Sequence, residues 1–167
     1  MTSVATSKTI IPMSVDSSIL SRLLEEGYGP GAWHGADLKA AIADVSEPTA
    51  FRRPGPGRHN IAEIALHHAF CAHSVIGQLT GKVPGPFVIE GSDWFELSGT
   101  TMSWETVRTT VDATQQRLSG VVADIASGAL TSPLDGREQF DLVLGIACHA
   151  VYHAGQIQLI KVMAGQA

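Results

Sequence analysis

Residues 142–157 read Leu-Val-Leu-Gly-Ile-Ala-Cys-His-Ala-Val-Tyr-His-Ala-Gly-Gln-Ile. They lie inside an apolar segment from about Gln139 to Met163, which predicts a helix that is buried on most of its sides. His149 and His153 are four residues apart, so at about 3.6 residues per turn they lie one above the other on one helix face. Two imidazoles at this separation are able to bind the same metal ion. The segment therefore predicts both a core helix and a candidate site.

Helical periodicity and capping residues predict the other elements. Asn60 is followed three positions later by Glu63, an arrangement in which the first side chain caps a helix and the second reaches back to it. Apart from the last helix, the predicted helical segments are 15–26, 36–45, 60–81 and 103–128. The second of these is short, and the others are the main helices.

These segments predict an all-α fold. No stretch shows the sustained alternation of apolar and polar residues that a half-buried strand requires. Four main helices around one core predict a four-helix bundle, with a long loop excursion over residues 81–102 between the second and third main helices. We expect one domain over residues 1–167, in which residues 1–14 form a flexible N-terminal tail.

Composition and charge exclude several classes of function. The 167-residue chain has 11 Lys and Arg against 16 Asp and Glu, a net charge of −5, whereas a nucleic-acid-binding protein usually carries a basic face. Residues 1–15 lack the apolar core of a signal peptide, and no stretch approaches about 18 consecutive apolar residues. Two cysteines in apolar helical patterns are typical of a reducing compartment. We expect a cytoplasmic protein that binds neither nucleic acid nor membrane.

The seven histidines are concentrated on two of the predicted helices, which should face each other. Five of them lie there: His67, His68, His73, His149 and His153. Three imidazoles from two helices would leave the other coordination positions of a metal open to water or substrate, as in catalytic sites. The alternative is that these side chains are hydrogen-bonded core or surface histidines.

Two helical motifs resemble those of the DinB-like (DinB/YfiT) superfamily. The segment from His149 to Ile157 is similar to its last-helix signature, and Asn60-Ile-Ala-Glu-Ile-Ala-Leu-His67 is similar to its second-helix signature. The loop segments 33–35 and 91–95 resemble motifs of one branch of the group. The resemblance implies a four-helix bundle, a homodimer, and one divalent metal per chain held by three histidines. Imidazole ligands suit zinc or nickel, with iron and copper as further candidates.

The pair His67-His68 departs from the pattern of the superfamily, which commonly has one histidine followed by an aliphatic residue. Helical periodicity places His68 at the centre of the apolar stripe and would choose it as the ligand. The spacing of the superfamily, counted from the capping residue, chooses His67. We predict that His67, His149 and His153 bind the metal, and His68 is the competing candidate.

Several other side chains are candidates for the surroundings of the site. Cys71 lies one turn beyond His67 and is either a metal-proximal thiol or a small core residue. Tyr152 and Gln156 flank the ligand turn and would either orient ligands or pack between helices. His34 would either line the mouth of the site or anchor a loop. His59, where many members of the superfamily have Trp, is predicted to be an exposed loop residue.

A three-histidine site with open positions supports two kinds of chemistry. It lowers the pKa of bound water, as in a hydrolase, or of a bound thiol that then attacks an electrophile. The resemblance implies the second for part of the superfamily, which includes transferases and isomerases that use low-molecular-weight thiols such as mycothiol or bacillithiol. No carboxylate stands out as a general base, because Asp141 and Glu63 both read as helix caps.

We therefore expect a metal-dependent enzyme of the thiol-transferase type that acts on a small molecule. A metal-dependent hydrolase and a non-catalytic metal-binding stress-response protein are the alternatives.

Overall fold

The computed structural model describes residues 17–91 and 93–165, and all regular secondary structure in these residues is helical. The helices are α1 (Ser17–Gly27), α2 (Leu38–Ala43), α3 (Glu47–Phe51), α4 (Ile61–Thr80), α5 (Trp104–Ser127) and α6 (Gly136–Met163). The predicted all-α class is confirmed. The predicted flexible tail, residues 1–14, lies outside the described residues.

Capping residues decide where α4 and α5 begin and end. The Asn60 side chain accepts a hydrogen bond from the Glu63 backbone N–H, and the Glu63 carboxylate accepts one from the Asn60 N–H. Ser103 caps α5 in the same way through the backbone N–H of Thr106. Both helices end at a glycine with positive φ, a conformation that glycine adopts at little cost. The bounds agree with those predicted from these local signals.

The last helix begins earlier than the sequence predicts. Asp135 is its N-cap and forms a second capping box with Glu138, so the helix starts at Gly136. The expectation that it starts near Gln139, with Asp141 in a capping role, is wrong. Its first turn is polar and exposed, so the apolar periodicity from which the start was predicted appears only one turn later.

The region after α1 contains two short helices where one was predicted. The first, α2, begins after Asp37, whose side chain accepts a hydrogen bond from the Ala40 N–H. The second, α3, carries Pro48 in its first turn, where the fixed φ of proline suits a helix start. The two helices are separated by residues 44–46, so the first helix covers Leu38–Ala43 and is shorter at both ends than the predicted segment 36–45.

The four long helices pack around a divided apolar core. α4 lies against α5 and α6, and α1 lies against α6 and α5. One buried cluster joins α4, α5 and α6 to α2 and includes Phe95 and Leu97 from residues 81–103, a segment without regular secondary structure in its described part. The second cluster fills the other end, between α1 and the far halves of the long helices. Residues 81–103 are thus held against the end of α4 that carries the histidines.

By length and composition, α6 is able to cross a membrane, since it reaches a mean hydropathy of 1.2 over an 18-residue window. The expectation that no segment approaches this limit is therefore wrong for α6. In this structure 44% of that window is buried, and its inner face packs against α1 and α4. One such helix is weak evidence for a membrane span, because core helices of soluble proteins have the same composition.

Candidate metal centre

Three imidazole rings from α4 and α6 converge. The Nε2 atom of His149 lies 3.2 Å from Nε2 of His67 and 3.0 Å from Nε2 of His153. The ligand atoms of all three lie within 4.8 Å of one another. His67 and His153 are buried, and His149 is half-buried. The structure therefore brings together the three residues that the sequence predicts as ligands.

The outer nitrogens of these rings hold the protons. Nδ1 of His67 donates a hydrogen bond to the Asp93 carbonyl at 2.7 Å, and Nδ1 of His153 donates one to Gln156 Oε1 at 2.6 Å. A neutral imidazole has a single N–H, so Nε2 of both rings carries a free lone pair. These lone pairs face His149 Nε2, which either donates its own N–H to one of them or, with its proton on Nδ1, offers a third lone pair to a shared cation.

A divalent metal ion fits this donor set. With metal–nitrogen bonds of about 2.0–2.1 Å, nitrogens in tetrahedral or octahedral positions lie about 2.9–3.4 Å apart. The two shorter Nε2 separations, 3.0 and 3.2 Å, are in this range. Metal-binding histidines ordinarily donate their second N–H to a carbonyl or a similar acceptor, as His67 and His153 do here.

His68 lies behind His149. Their Nδ1 atoms are 3.2 Å apart, and the His68 side chain is 1% exposed. If His149 offers Nε2 to a metal, its Nδ1–H donates to His68, whose own proton then lies on Nε2. That Nε2 atom is buried, and a hydrogen bond between the His68 and Gln115 side chains partly opposes the lowering of the His68 pKa by burial. The structure thus places His67 in the cluster and His68 in contact with the back of His149.

The Trp94 side chain adjoins His67 and also contacts His59. The Trp94 ring stacks on His67 with centroids 3.9 Å apart and an interplanar angle of 7°, and it also stacks on His59 at 3.8 Å and 12°. The prediction that His59 is an exposed loop residue is correct for its exposure but misses this contact. No local pattern connects His59 with Trp94, which lies 35 residues further along the chain. Only the resemblance of segment 91–95 to a loop motif pointed to this region.

The remaining candidates have different surroundings. Gln156, which accepts the His153 N–H, also donates to the Tyr152 hydroxyl at 3.1 Å, so this pair lies directly beside a ligand. Cys71 Sγ is 3.8 Å from His67 Nε2. Burial, with a smaller contribution from Asp93, raises the pKa of Cys71 to about 11, which favours the neutral thiol.

His34 is in another part of the fold. Its Nε2 donates a hydrogen bond to the Glu26 carbonyl at 2.8 Å, which ties the segment after α1 to the last turn of that helix. The side chain is exposed. Of its two predicted roles, the structure assigns it the loop anchor and not the mouth of the site.

The environment favours the neutral form of His149, His153 and the adjacent His68. Burial, followed by the neighbouring histidines, lowers the pKa of His149 to about 4 and that of His68 to about 3. Burial also lowers the pKa of His153, although its hydrogen bond with Gln156 opposes the effect. Neutral imidazoles are the form that binds metal, so the lone pairs are free at neutral pH.

We expect the metal-free protein to lose stability as the pH falls from about 6.5 towards 4. In this interval His149 is protonated in the unfolded chain, with an ordinary pKa of 6.5, but not in the folded one, with a pKa of about 4. The unfolded state then binds more protons, and the free energy of unfolding falls by roughly 1–2 kcal/mol for this residue, because solvent screening at the half-buried ring reduces the effect. Urea denaturation of chelator-treated protein at pH 7 and pH 4.5 measures the change.

His149→Gln should show a smaller loss than the wild-type protein, and the exposed His34→Gln should show the same loss. An equal loss in His149→Gln and wild type would contradict the prediction.

A cavity of about 770 Å³ adjoins the cluster. This volume is in the range of small-molecule sites. Its wall contains apolar side chains from α4 and α6, and its polar end contains His153, Gln156, Trp94 and His59. Arg58 contributes a cation, and none of the described lining residues is a carboxylate. A small molecule in this cavity would contact one of the three clustered histidines directly.

Comparison with known proteins agrees with this geometry. The family model of the DinB superfamily matches residues 32–157, a segment that includes His67, His149 and His153. No curated protein and no solved structure matched the chain. The family match covers well over half of the 167 residues. The chain therefore belongs to the DinB superfamily.

Proposed function

We propose that this protein is a divalent-metal-dependent enzyme of the low-molecular-weight-thiol transferase type, and that its three-histidine centre is the active site. The observation that carries the proposal is the convergence of three Nε2 atoms beside a cavity of small-molecule size. Zinc and nickel are the metals that we favour, and iron and copper also suit imidazole ligands.

His67, His149 and His153 would hold the metal through Nε2. Three neutral imidazoles leave the double positive charge of the ion uncompensated, so the centre favours an anionic fourth ligand. When bound, the metal would supply Lewis acidity, which lowers the pKa of a thiol or of water at an open position. The Asp93 carbonyl and Gln156 keep two of the rings in the orientation that this requires.

The cavity supports a small thiol as one substrate. Part of its wall is apolar, and Arg58, one of its lining residues, would attract an anionic group such as the carboxylate of cysteine or its peptides. Arg58 makes no side-chain hydrogen bond or ion pair with the described residues, so its charge is available to a ligand.

The alternative functions, the oligomeric state and the cellular location are also proposals. A metal-dependent hydrolase and a non-catalytic metal-binding stress-response protein are the alternative functions. We also propose a homodimer, on the basis of the resemblance, and a cytoplasmic protein without nucleic-acid or membrane partners, on the basis of charge and composition.

Two measurements test the function. Protein purified without added metal, or reconstituted, should contain about one divalent ion per chain by elemental analysis. The loaded protein should then accelerate the reaction of an electrophile such as monobromobimane with a low-molecular-weight thiol above its uncatalysed rate, and chelation should abolish this acceleration. Turnover of esters or amides instead would favour the hydrolase, and full metal occupancy without any turnover would favour the binding protein. A failure to bind metal would contradict the proposal.

A further inference from the structure

A second imidazole beside the cavity is paired with a buried carboxylate. His59 Nδ1 lies 3.0 Å from Glu63 Oε2, one helical turn away. The Glu63 side chain is 1% exposed, and that of His59 is 45% exposed. A carboxylate accepts and does not donate when ionised, so the proton of this hydrogen bond belongs to His59 Nδ1. The pair has the orientation of a carboxylate that positions a catalytic histidine.

Hydrogen bonds fix the Glu63 carboxylate in place. Arg53 donates to both of its oxygens, at 2.5 and 3.1 Å. The backbone N–H groups of Asn60 and Leu97 donate at 3.3 and 3.0 Å. Each of these groups is a donor, so the carboxylate acts as the acceptor towards His59 as well. Glu63 is therefore more than a helix cap.

The other nitrogen of His59 is free. With the proton on Nδ1, Nε2 carries a lone pair, and no described residue hydrogen-bonds to it. The ring stacks on Trp94, and His59, Trp94 and His153 line the same cavity. The charged or titratable groups around His59 are Glu63, Arg53, Arg58, Glu96 and His153. A molecule in the cavity is thus able to contact His59 and one of the metal-binding rings together.

We propose that His59 is the proton-transfer residue of this centre and that Glu63 is its positioning residue. His59 Nε2 takes the proton of the nucleophile in the cavity: the S–H bond of the thiol breaks, and its electron pair stays on sulfur. The sulfur then forms a bond to the electrophile, and the imidazolium returns the proton to the group that leaves. Glu63 stabilises the positive charge that His59 carries in between. This inference rests on the proposed function, because it requires a protonated nucleophile in the cavity.

The first test uses the metal-free protein and needs no turnover. Nitrogen NMR of protein with labelled histidine identifies which ring nitrogen carries the proton. In the wild-type protein at pH 8 we expect the N–H of His59 on Nδ1, and in Glu63→Gln we expect a loss of this preference. A wild-type His59 with its N–H on Nε2 would overturn the proposal, because Nε2 would then have no lone pair to accept a proton.

The second test compares the pH dependence of the thiol reaction. Cobalt-loaded protein is assayed with mercaptoethanol and an electrophile over a range of pH, and the affinity for cobalt is measured separately. His59→Gln should bind cobalt as well as the wild type, but its rate should lack the fall at low pH that the wild type shows, because only the wild type depends on an unprotonated His59. His34→Gln, which alters an exposed histidine elsewhere, should behave as the wild type.

The same rate and the same pH profile in the wild type and His59→Gln would overturn the role of His59 and leave the proposed function intact. Loaded protein that binds no thiol would contradict the thiol-transferase function and, with it, this inference. In a thiol-dependent assay, His59→Gln should lower the rate by about 100-fold or more, and added imidazole should restore part of it.

Discussion

His149→Ala is expected to lower the affinity of the protein for a divalent metal by more than about 100-fold. Loss of an outer hydrogen-bond partner typically costs 10–100-fold in metal affinity, and loss of one of three direct ligands should cost more. His149 Nε2 is also the atom that lies nearest to both other ligand nitrogens. Elemental analysis after dialysis and competition with a chromophoric chelator measure the change. His67→Ala and His153→Ala should have the same effect.

The adjacent residue provides the control. His68→Ala removes a side chain that contacts His149 Nδ1 but contributes no atom to the three-histidine cluster. We expect it to weaken binding by at most about 10–100-fold and to retain about one metal per chain when metal is in excess. If His67→Ala kept its metal while His68→Ala lost it, the choice between the two neighbours would be wrong.

Glu63→Ala is expected to destabilise the metal-free protein by about 3–5 kcal/mol. Each buried donor that is left without an acceptor costs about 1–3 kcal/mol, whereas Arg53 is 39% exposed and is partly solvated after the change. Here the Leu97 N–H and the Asn60 N–H would lose their acceptor, and Arg53 would lose its counter-charge. Urea denaturation at pH 7 in the presence of a chelator measures the free energy of unfolding without a contribution from bound metal.

A matched control lies in the same chain. Glu138 occupies the equivalent position of the capping box of α6, but it is exposed and its capping contact is with Asp135 alone. Glu138→Ala should cost only about 0.5–1 kcal/mol. Similar losses in the two variants would show that Glu63 acts as a helix cap and that its contacts with other parts of the fold contribute little.

The features that the sequence predicts correctly are those with a local signal. The bounds of α4 and α5 follow from Asn60, Ser103 and two glycines, all of which act on backbone groups within a few residues. The pairing of His149 with His153 follows from helical spacing alone. The start of α6 was misplaced because its first turn is polar, so its cap had no apolar periodicity beside it.

Other parts of the site had no local signal. Asn60 and Glu63 were recognised as a capping box, yet the same Glu63 carboxylate also binds Arg53 and His59 and contacts Leu97, 34 residues away. Trp94 and the Asp93 carbonyl reach His67 only because residues 81–103 fold back over α4. These contacts depend on the course of a segment without regular secondary structure, which periodicity does not describe.

The sequence by itself determined that the chain is helical, where its long helices lie, and that two histidines share one face of the last helix. Only the tertiary structure decided that His67, and not His68, completes the cluster, because the two helices meet along the flank of the apolar stripe of α4 and not along its centre. His67 and His149 are 82 residues apart, and no interaction along one helix sets their distance. The free energy of burying the core places these rings together, and the sequence pattern of a single helix does not contain that information.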